Sequence, residues 1–296
     1  FTRASGRIGW NEISNSTNYA ATGAVSRLFG RNEQFGAVLA ASFSVRDYES
    51  DNYEASSTSA NPLLDPFLPG QRVLRDYRIV RERTGVVANF EWRPRDGVRL
   101  YANNTYARYS DDEQRDTVTT EYALGTLNPV TGAFSAGRGT LELRDRKVIQ
   151  RIYNSSLGGV FETGQLTVEG NATFARAEED TPKRIDYEFR TLAPNQRFAG
   201  TADASGLFTS ITAPALADAR LYPFRRLRSR TDEVAEDVAA LTGNVRYDFA
   251  DRPGYLKAGL RYVTREKSWD RTNNDISGVA PGVVFTKKKD TNESDL

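Results

Sequence analysis

Apolar and polar residues alternate along much of this chain. Phe35, Ala37, Leu39, Ala41, Phe43 and Val45 make one apolar row, with Val38, Ser42, Ser44 and Arg46 opposite. Thr84, Val86, Ala88, Phe90 and Trp92 repeat the pattern against Gly85, Val87, Asn89, Glu91 and Arg93. It returns at 166–174, 239–249 and 256–264. A period of two puts alternate side chains on opposite faces of a strand. The runs last about 9–12 residues, longer than the ~5–6 common in soluble strands and enough for a tilted strand to cross a bilayer. About nine strands are predicted, near 3–13, 19–29, 35–47, 84–93, 98–110, 147–161, 166–174, 236–249 and 255–265. At 98–110 and 147–161 both faces are mixed, so the pattern leaves open whether Leu100 or Tyr101 faces outward. The stretch "DEVAEDVAALTG" at 232–243 also reads as an Asp-capped helix. The alternation running on into Tyr247 and Phe249 favours a strand.

The connections sort by length. "GRNEQ" at 30–34, "RPRDG" at 93–97, "ETG" at 162–164 and "ADRPG" at 250–254 are short and carry glycine. Between them lie long polar segments at about 49–76, 111–143 and 179–235, with a further one at 271–296. In an up-and-down sheet, alternate connections share an end. All the short turns then lie at one end and the long loops at the other, the asymmetry of an outer-membrane barrel. Nine strands in lipid would leave two open edges, so more strands are expected than this chain supplies.

Composition narrows the classes. Mean hydropathy is −0.58 and charged residues make up 27%. No apolar run approaches the ~20 residues of a membrane-spanning helix, but a β-barrel needs apolar residues only at every second position. Forty basic and 39 acidic residues give a net charge of +1, with no bulk pull toward nucleic acid. Cysteine, histidine and methionine are absent. Disulfides, thiolate metal sites and His-based nucleophilic triads are therefore excluded. The chain starts mid-pattern at Phe1 and ends on "TKKKDTNESDL", and is read as a piece of a longer protein.

Three stretches resemble TonB-dependent outer-membrane receptors, in particular the branch expanded in Caulobacter- and Xanthomonas-like bacteria. They are "FGAVLAASFSVRDYESDNYE" at 35–54, "RDYRIVRERTGVVANFEWRPRDGVRLYANNTYARYSDDEQRD" at 75–116 and "GYLKAGLRYVTREKSWDR" at 254–271. The resemblance covers most of the chain outside the long segments. It implies an all-β, antiparallel, up-and-down transmembrane barrel of roughly 22 strands around an N-terminal plug. Residues 1–296 would be a central piece of that wall, without the plug. The implied work is TonB-dependent uptake of a nutrient, a carbohydrate or an iron chelate, across the bacterial outer membrane. The implied partners are outer-membrane lipid and lipopolysaccharide, the TonB complex through an N-terminal region outside this sequence, and a small ligand. No nucleic acid, catalytic residue, metal or cofactor is implied. Two alternatives stay open: a passive porin-type channel, and a soluble all-β protein that binds or cleaves carbohydrate.

Candidate sites are weighed against blander roles. Glu169, Asn171, Arg246, Asp248, Lys257 and Arg261 fall on the inward face, as substrate contacts or as a charge network satisfying the wall. Trp92, Phe249 and Tyr255 flank short turns and suit an aromatic girdle. Trp269 stands near the outer rim, to stack on a sugar ring or anchor the girdle. "LYPFRRLRSR" at 221–230 joins aromatics to arginines, to grip an anionic or sugar ligand or to fold inward as a lid. The ligand-binding candidates are accordingly Trp269, Tyr222, Phe224, Arg225, Arg246 and Arg261. The acidic runs 111–113 and 178–180 offer oxygen ligands for Ca²⁺, but they lack the spacing of a calcium loop and read as rim charge. Lys287, Lys288 and Lys289 read as loop charge or as a contact with lipopolysaccharide phosphate.

Overall fold

A computed structural model of the chain describes residues 1–56, 70–191 and 197–277, with the backbone alone of 284–290. Twelve strands follow one another: β1 (Thr2–Asn11), β2 (Ser16–Phe29), β3 (Phe35–Ser56), β4 (Gln71–Arg95), β5 (Val98–Glu121), β6 (Ala133–Thr163), β7 (Leu166–Arg190), β8 (Phe198–Asp203), β9 (Ser210–Thr212), β10 (Phe224–Asp248), β11 (Tyr255–Ser277) and β12 (Val284–Asp290). All but β8 and β9 lie side by side in chain order, each antiparallel to the next. The fold is an all-β up-and-down sheet, and its path runs from β1 to β12 without closing on itself. The nine strands expected from alternation are β1–β7, β10 and β11. Residues 232–243 are strand, not helix. Among the described residues no helix is long and apolar enough to cross a membrane.

The hairpin turns at 30–34, 96–97, 164–165 and 249–254 share one end of the sheet. Each contains one glycine at positive φ: Gly30 (95°), Gly97 (72°), Gly164 (58°) and Gly254 (136°). Gly97 is doubly constrained. Its backbone conformation disfavours any side chain, and a Cβ there would run into the Glu162 carbonyl of the next hairpin.

Register resolves the faces. Phe35 pairs with Trp92, Trp92 with Leu100, Leu100 with Gly159, Gly159 with Gly170, Gly170 with Gly243 and Gly243 with Leu260. Leu100 therefore belongs to the apolar face. Tyr101 pairs with Glu91 on the polar face, where its ring lies over Gly158 and its hydroxyl meets Asn171 Nδ2 at 3.3 Å.

The apolar face carries a band with sharp borders. Moving away from the turns, its first charged residue is Asp47 on β3, twelve positions past Phe35. The equivalents are Glu82 on β4, ten past Trp92; Arg108 and Arg151 on β5 and β6, eight past Leu100 and Gly159; and Arg176, Asp237 and Glu266 on β7, β10 and β11, six past Gly170, Gly243 and Leu260. The turn-side border descends in parallel, from Phe35 on β3 to Phe161 on β6, then to Tyr247 and Leu256. Both borders drop about one residue per strand, so the band keeps a height of about ten residues while crossing the ladder obliquely. Within it the large side chains are open to the outside: Leu157 is 61% exposed and Leu260 77%. Phe29, Phe35, Phe90 and Trp92 form an aromatic group at the turn-side border, with ring centres 5.3–6.5 Å apart. Tyr255 is not part of this belt. It pairs with Asp248 on the polar face, 4.2 Å under the Arg246 guanidinium.

Beyond the charged border the structure differs from expectation. Much of 49–76, 111–143, 179–235 and 271–296 is strand rather than loop. The β3–β4 ladder continues to the Ser56–Gln71 pair, the β5–β6 ladder to Glu121–Arg138, and β7 runs beside β10 up to Phe189–Phe224. β11 extends through Ser277 and pairs there with β12. These outer extensions carry charge on both faces, so no apolar row announced them. The hydrophobic core also lies here. Tyr122, Phe134, Phe198, Ala202 and Ala213 bury one another where β8, β9 and two short 3-10 turns (Pro214–Ala217 and Ala219–Leu221) fold back onto β6. Phe208 packs on Tyr53 of β3, and the Thr209 amide donates to the Tyr53 hydroxyl at 2.7 Å. The residues 198–223 thus form a cap over the outer sheet.

Candidate functional site

The candidate site lies on the polar face. One hollow of about 400 Å³ runs along it from Arg3 of β1 past Thr22, Ala40 and Gly85 to Thr105 of β5. The inward residues expected at Glu169, Asn171, Arg246, Asp248, Lys257 and Arg261 all occupy this face, as the Arg246–Lys257, Asn171–Thr242 and Thr242–Arg261 pairs show. Arg246 is held by Asp248 at 2.6 Å.

The six candidate ligand residues do not converge. Trp269 lies on the polar face beyond the band, with the Arg271 guanidinium 4.4 Å over its ring. Arg271 in turn donates to Asp232 at 2.5 Å, and Arg230 bonds the same carboxylate. Burial alone would raise the Asp232 pKa, but its bonds from Arg230 and Arg271 outweigh burial and hold it below the usual carboxylate range. Arg261 is eight residues from Trp269 along β11, about 26 Å, and Arg246 is beside the short turns. Tyr222 is buried against Gly139 on the other face of the sheet, and Phe224 packs edge-on against Phe189 at 5.9 Å. Arg225 falls at the bulge between Phe224 and Arg226. The segment 221–230 is the end of the cap and the start of β10, not an inward grip.

A different cluster, unread in the sequence, sits on the polar face of β3, β4 and β5 at the level of the charged border. Arg81 donates from Nε and Nη2 to Asp111 Oδ2 at 2.8 and 2.6 Å, and the Tyr109 hydroxyl donates to the same oxygen at 2.8 Å. Asp111 is almost fully buried, and Arg146 stands 3.9 Å from its other oxygen while bonding Glu113 at 2.9 Å. Arg46 lies over the Tyr48 ring, Arg83 over Tyr109 and Arg115 over Tyr77, at 5.4, 5.5 and 5.9 Å. The signal was available in "SVRDY", with Arg46 and Tyr48 two apart, in "VRERT", with Arg81 and Arg83 two apart, and in "ARYSDDEQR", with Tyr109 and Asp111 two apart. It becomes a cluster only once register aligns the three strands.

The acidic runs are engaged. Asp111, Asp112 and Glu113 face Arg81, Lys147 and Arg146. Glu178 pairs with Arg176 and Arg151, Glu179 accepts from Gln150, and Asp180 pairs with Arg151. The side chains of Lys287, Lys288 and Lys289 lie outside the described residues.

No protein-family model matches the chain, and no curated protein matches it. Among solved structures it is similar to BauA, the ferric preacinetobactin receptor of Acinetobacter baumannii, with 12% sequence identity and a TM-score of 0.26. The match covers 93% of this chain and 44% of that one, so the chain spans less than half of that receptor's length. A likeness this distant carries no argument about fold or function.

Proposed function

We propose that this sheet is part of the wall of an outer-membrane β-barrel and that the chain serves TonB-dependent uptake of a small nutrient, without catalysis. The observation that supports it is the oblique apolar band. Ten residues of strand span ~33 Å, and at the 35–45° tilt of such barrels that is about 25 Å of height, the thickness of their lipid-facing belt. The tilt follows from the stagger. One residue of rise for each ~4.8 Å step between strands is an inclination of about 35°. A soluble sandwich buries one face against a second layer and needs no such border. Here the apolar face is bare, aromatics mark one edge, and the other edge is a collar of ion pairs: Glu82–Arg108 at 3.5 Å, Arg151–Glu178 at 3.6 Å and Arg176–Asp237 at 3.1 Å. Uptake coupled to TonB, rather than passive flow, rests on the sequence resemblance at 35–54, 75–116 and 254–271.

The test is reconstitution of the full chain into vesicles. Protease protection of the band, with the outer extensions left accessible, is the expected result. A monodisperse, folded chain in buffer without detergent or lipid would overturn the reading.

A further inference from the structure

Like charges placed directly opposite one another on neighbouring strands destabilise a sheet. The polar face contains this arrangement in several places, such as Arg146–Arg184 and Arg246–Lys257, and two of them flank the Asp111 cluster. Arg46 of β3 pairs with Arg81 of β4, and Arg115 of β5 pairs with Arg144 of β6. In each pair one arginine is neutralised: Arg81 by Asp111, and Arg144 by Asp186 at 2.5 Å. In each, the other guanidinium lies on a tyrosine ring, Arg46 on Tyr48 and Arg115 on Tyr77. Arg83, diagonal to Arg46 and so about 7–8 Å from it along the ladder, likewise rests on Tyr109. Among the described residues none of Arg46, Arg83 and Arg115 has a carboxylate within ion-pair distance. The two carboxylates between them, Asp111 and Glu113, are already held by Arg81 and Arg146. Arg46 and Arg83 are exposed.

We propose that this patch binds a small oxyanion carrying at least two negative charges, a polycarboxylate or a phosphate, through Arg46 and Arg83. The assignment rests on the uptake reading only in naming that anion as cargo. The chemistry is direct. A guanidinium offers a planar fork of N–H donors to carboxylate or phosphate, and the tyrosine rings hold each fork open while leaving its edge free. Two forks at diagonal spacing suit two anionic groups on one molecule. The anion supplies the charge that the sheet itself withholds, which gives a reason for keeping Arg46 opposite Arg81. Asp111 and the Tyr109 hydroxyl are positioning groups that fix Arg81 away from the ligand.

The experiment is calorimetric titration of the detergent-solubilised full chain with citrate and, separately, with inorganic phosphate at low ionic strength. Arg46→Gln and Arg83→Gln are expected to weaken binding of whichever probe binds by about tenfold or more each. Arg99→Gln is the control. Arg99 also lies over a tyrosine, Tyr101, but is 4.0 Å from Glu91 near the short turns. Its binding should stay within about twofold of the parent, as expected for a residue with no contact to the ligand. A second readout needs no ligand. Arg46→Gln relieves the opposed pair, so it should melt higher than the parent without anion and gain less from adding citrate. Failure of both probes to bind the parent at millimolar concentration, equal loss in Arg99→Gln, or a lower melting point for Arg46→Gln overturns the proposal. Citrate binding by a chain that fails to enter vesicles would overturn the membrane reading and leave this site standing.

Discussion

The band and the outer extension are built from the same strands on opposite principles. In the band Val45, next to the charged border, is the one buried residue among those described. Among the described residues every other buried residue, from Ser110 to Asp232, lies beyond the charged border. The outer extension holds itself together with its own core at Tyr122, Phe134 and Phe198 and with cross-strand ion pairs. The band has its backbone ladder, its turns, the aromatic group at its turn-side border and a few polar-face bonds such as Asn171 to Tyr101, and most of its large apolar side chains are exposed. The difference teaches where stability comes from in each half: packing in one and, on the barrel reading, the surrounding lipid in the other.

The largest expected effect separates the halves through packing. Phe198→Ala empties the centre of the outer core and should cost about 3–5 kcal/mol of local stability. Hydrogen exchange should rise in 198–223 and β6 near Gly137 while the band stays protected. Loss of protection throughout both halves would refute their independence. Leu241→Arg, mid-band on the apolar face, comes next at about 2–4 kcal/mol in lipid, against little for its polar-face neighbour Thr242→Arg. Denaturant titration in vesicles measures it, and equal costs would break the face assignment. Asp111→Asn should cost about 1–3 kcal/mol, because it leaves Arg81 opposite Arg46 with no carboxylate. Thermal melts should show this loss partly restored by the double variant Arg46→Gln/Asp111→Asn.

The smallest effect is confined to high pH. Burial, with the neighbouring Tyr53, pushes the Tyr122 hydroxyl up to about 12. An unfolded tyrosine ionises near 10. The neutral phenol is therefore favoured in the packed cap. Its contribution is complete below about pH 10 and is lost as pH rises toward 12. Protease nicking of 198–223 should increase across that window, and Tyr122→Phe should lack the step while the band is unaffected in both.

Legibility in the sequence follows the same division. Alternation requires one wet face and one apolar face, and only the band has both. Its strands, turns and faces could be read directly. The faces left open, those of 98–110 and 147–161, needed the pairing of Leu100 with Trp92 and with Gly159; Asn103 and Asn104 put amides on both faces of the first. Beyond the border, Glu49, Asp51 and Asn52 alternate nothing, so 22 residues of β3 looked like 13 and a loop. The ligand candidates failed for a related reason. "LYPFRR" was judged by composition, but Tyr222 is consumed by packing against Gly139. The Arg–Tyr cluster instead required three strands to be aligned before its arginines became neighbours.

The stagger of the band sets a screw thread on the sheet. Each strand is laid about one residue lower than the last, so no strand chooses its own depth. A hairpin that slipped by two residues, the least that keeps side chains on their proper faces, would shift every later strand with it. Arg151, Glu178, Arg176 and Asp237 would then be carried about 5 Å across the border, the paired charges together into the apolar zone. In the proposed barrel the collar of ion pairs would therefore act as a depth gauge: it makes correct threading of the whole wall the only arrangement in which none of those charges sinks.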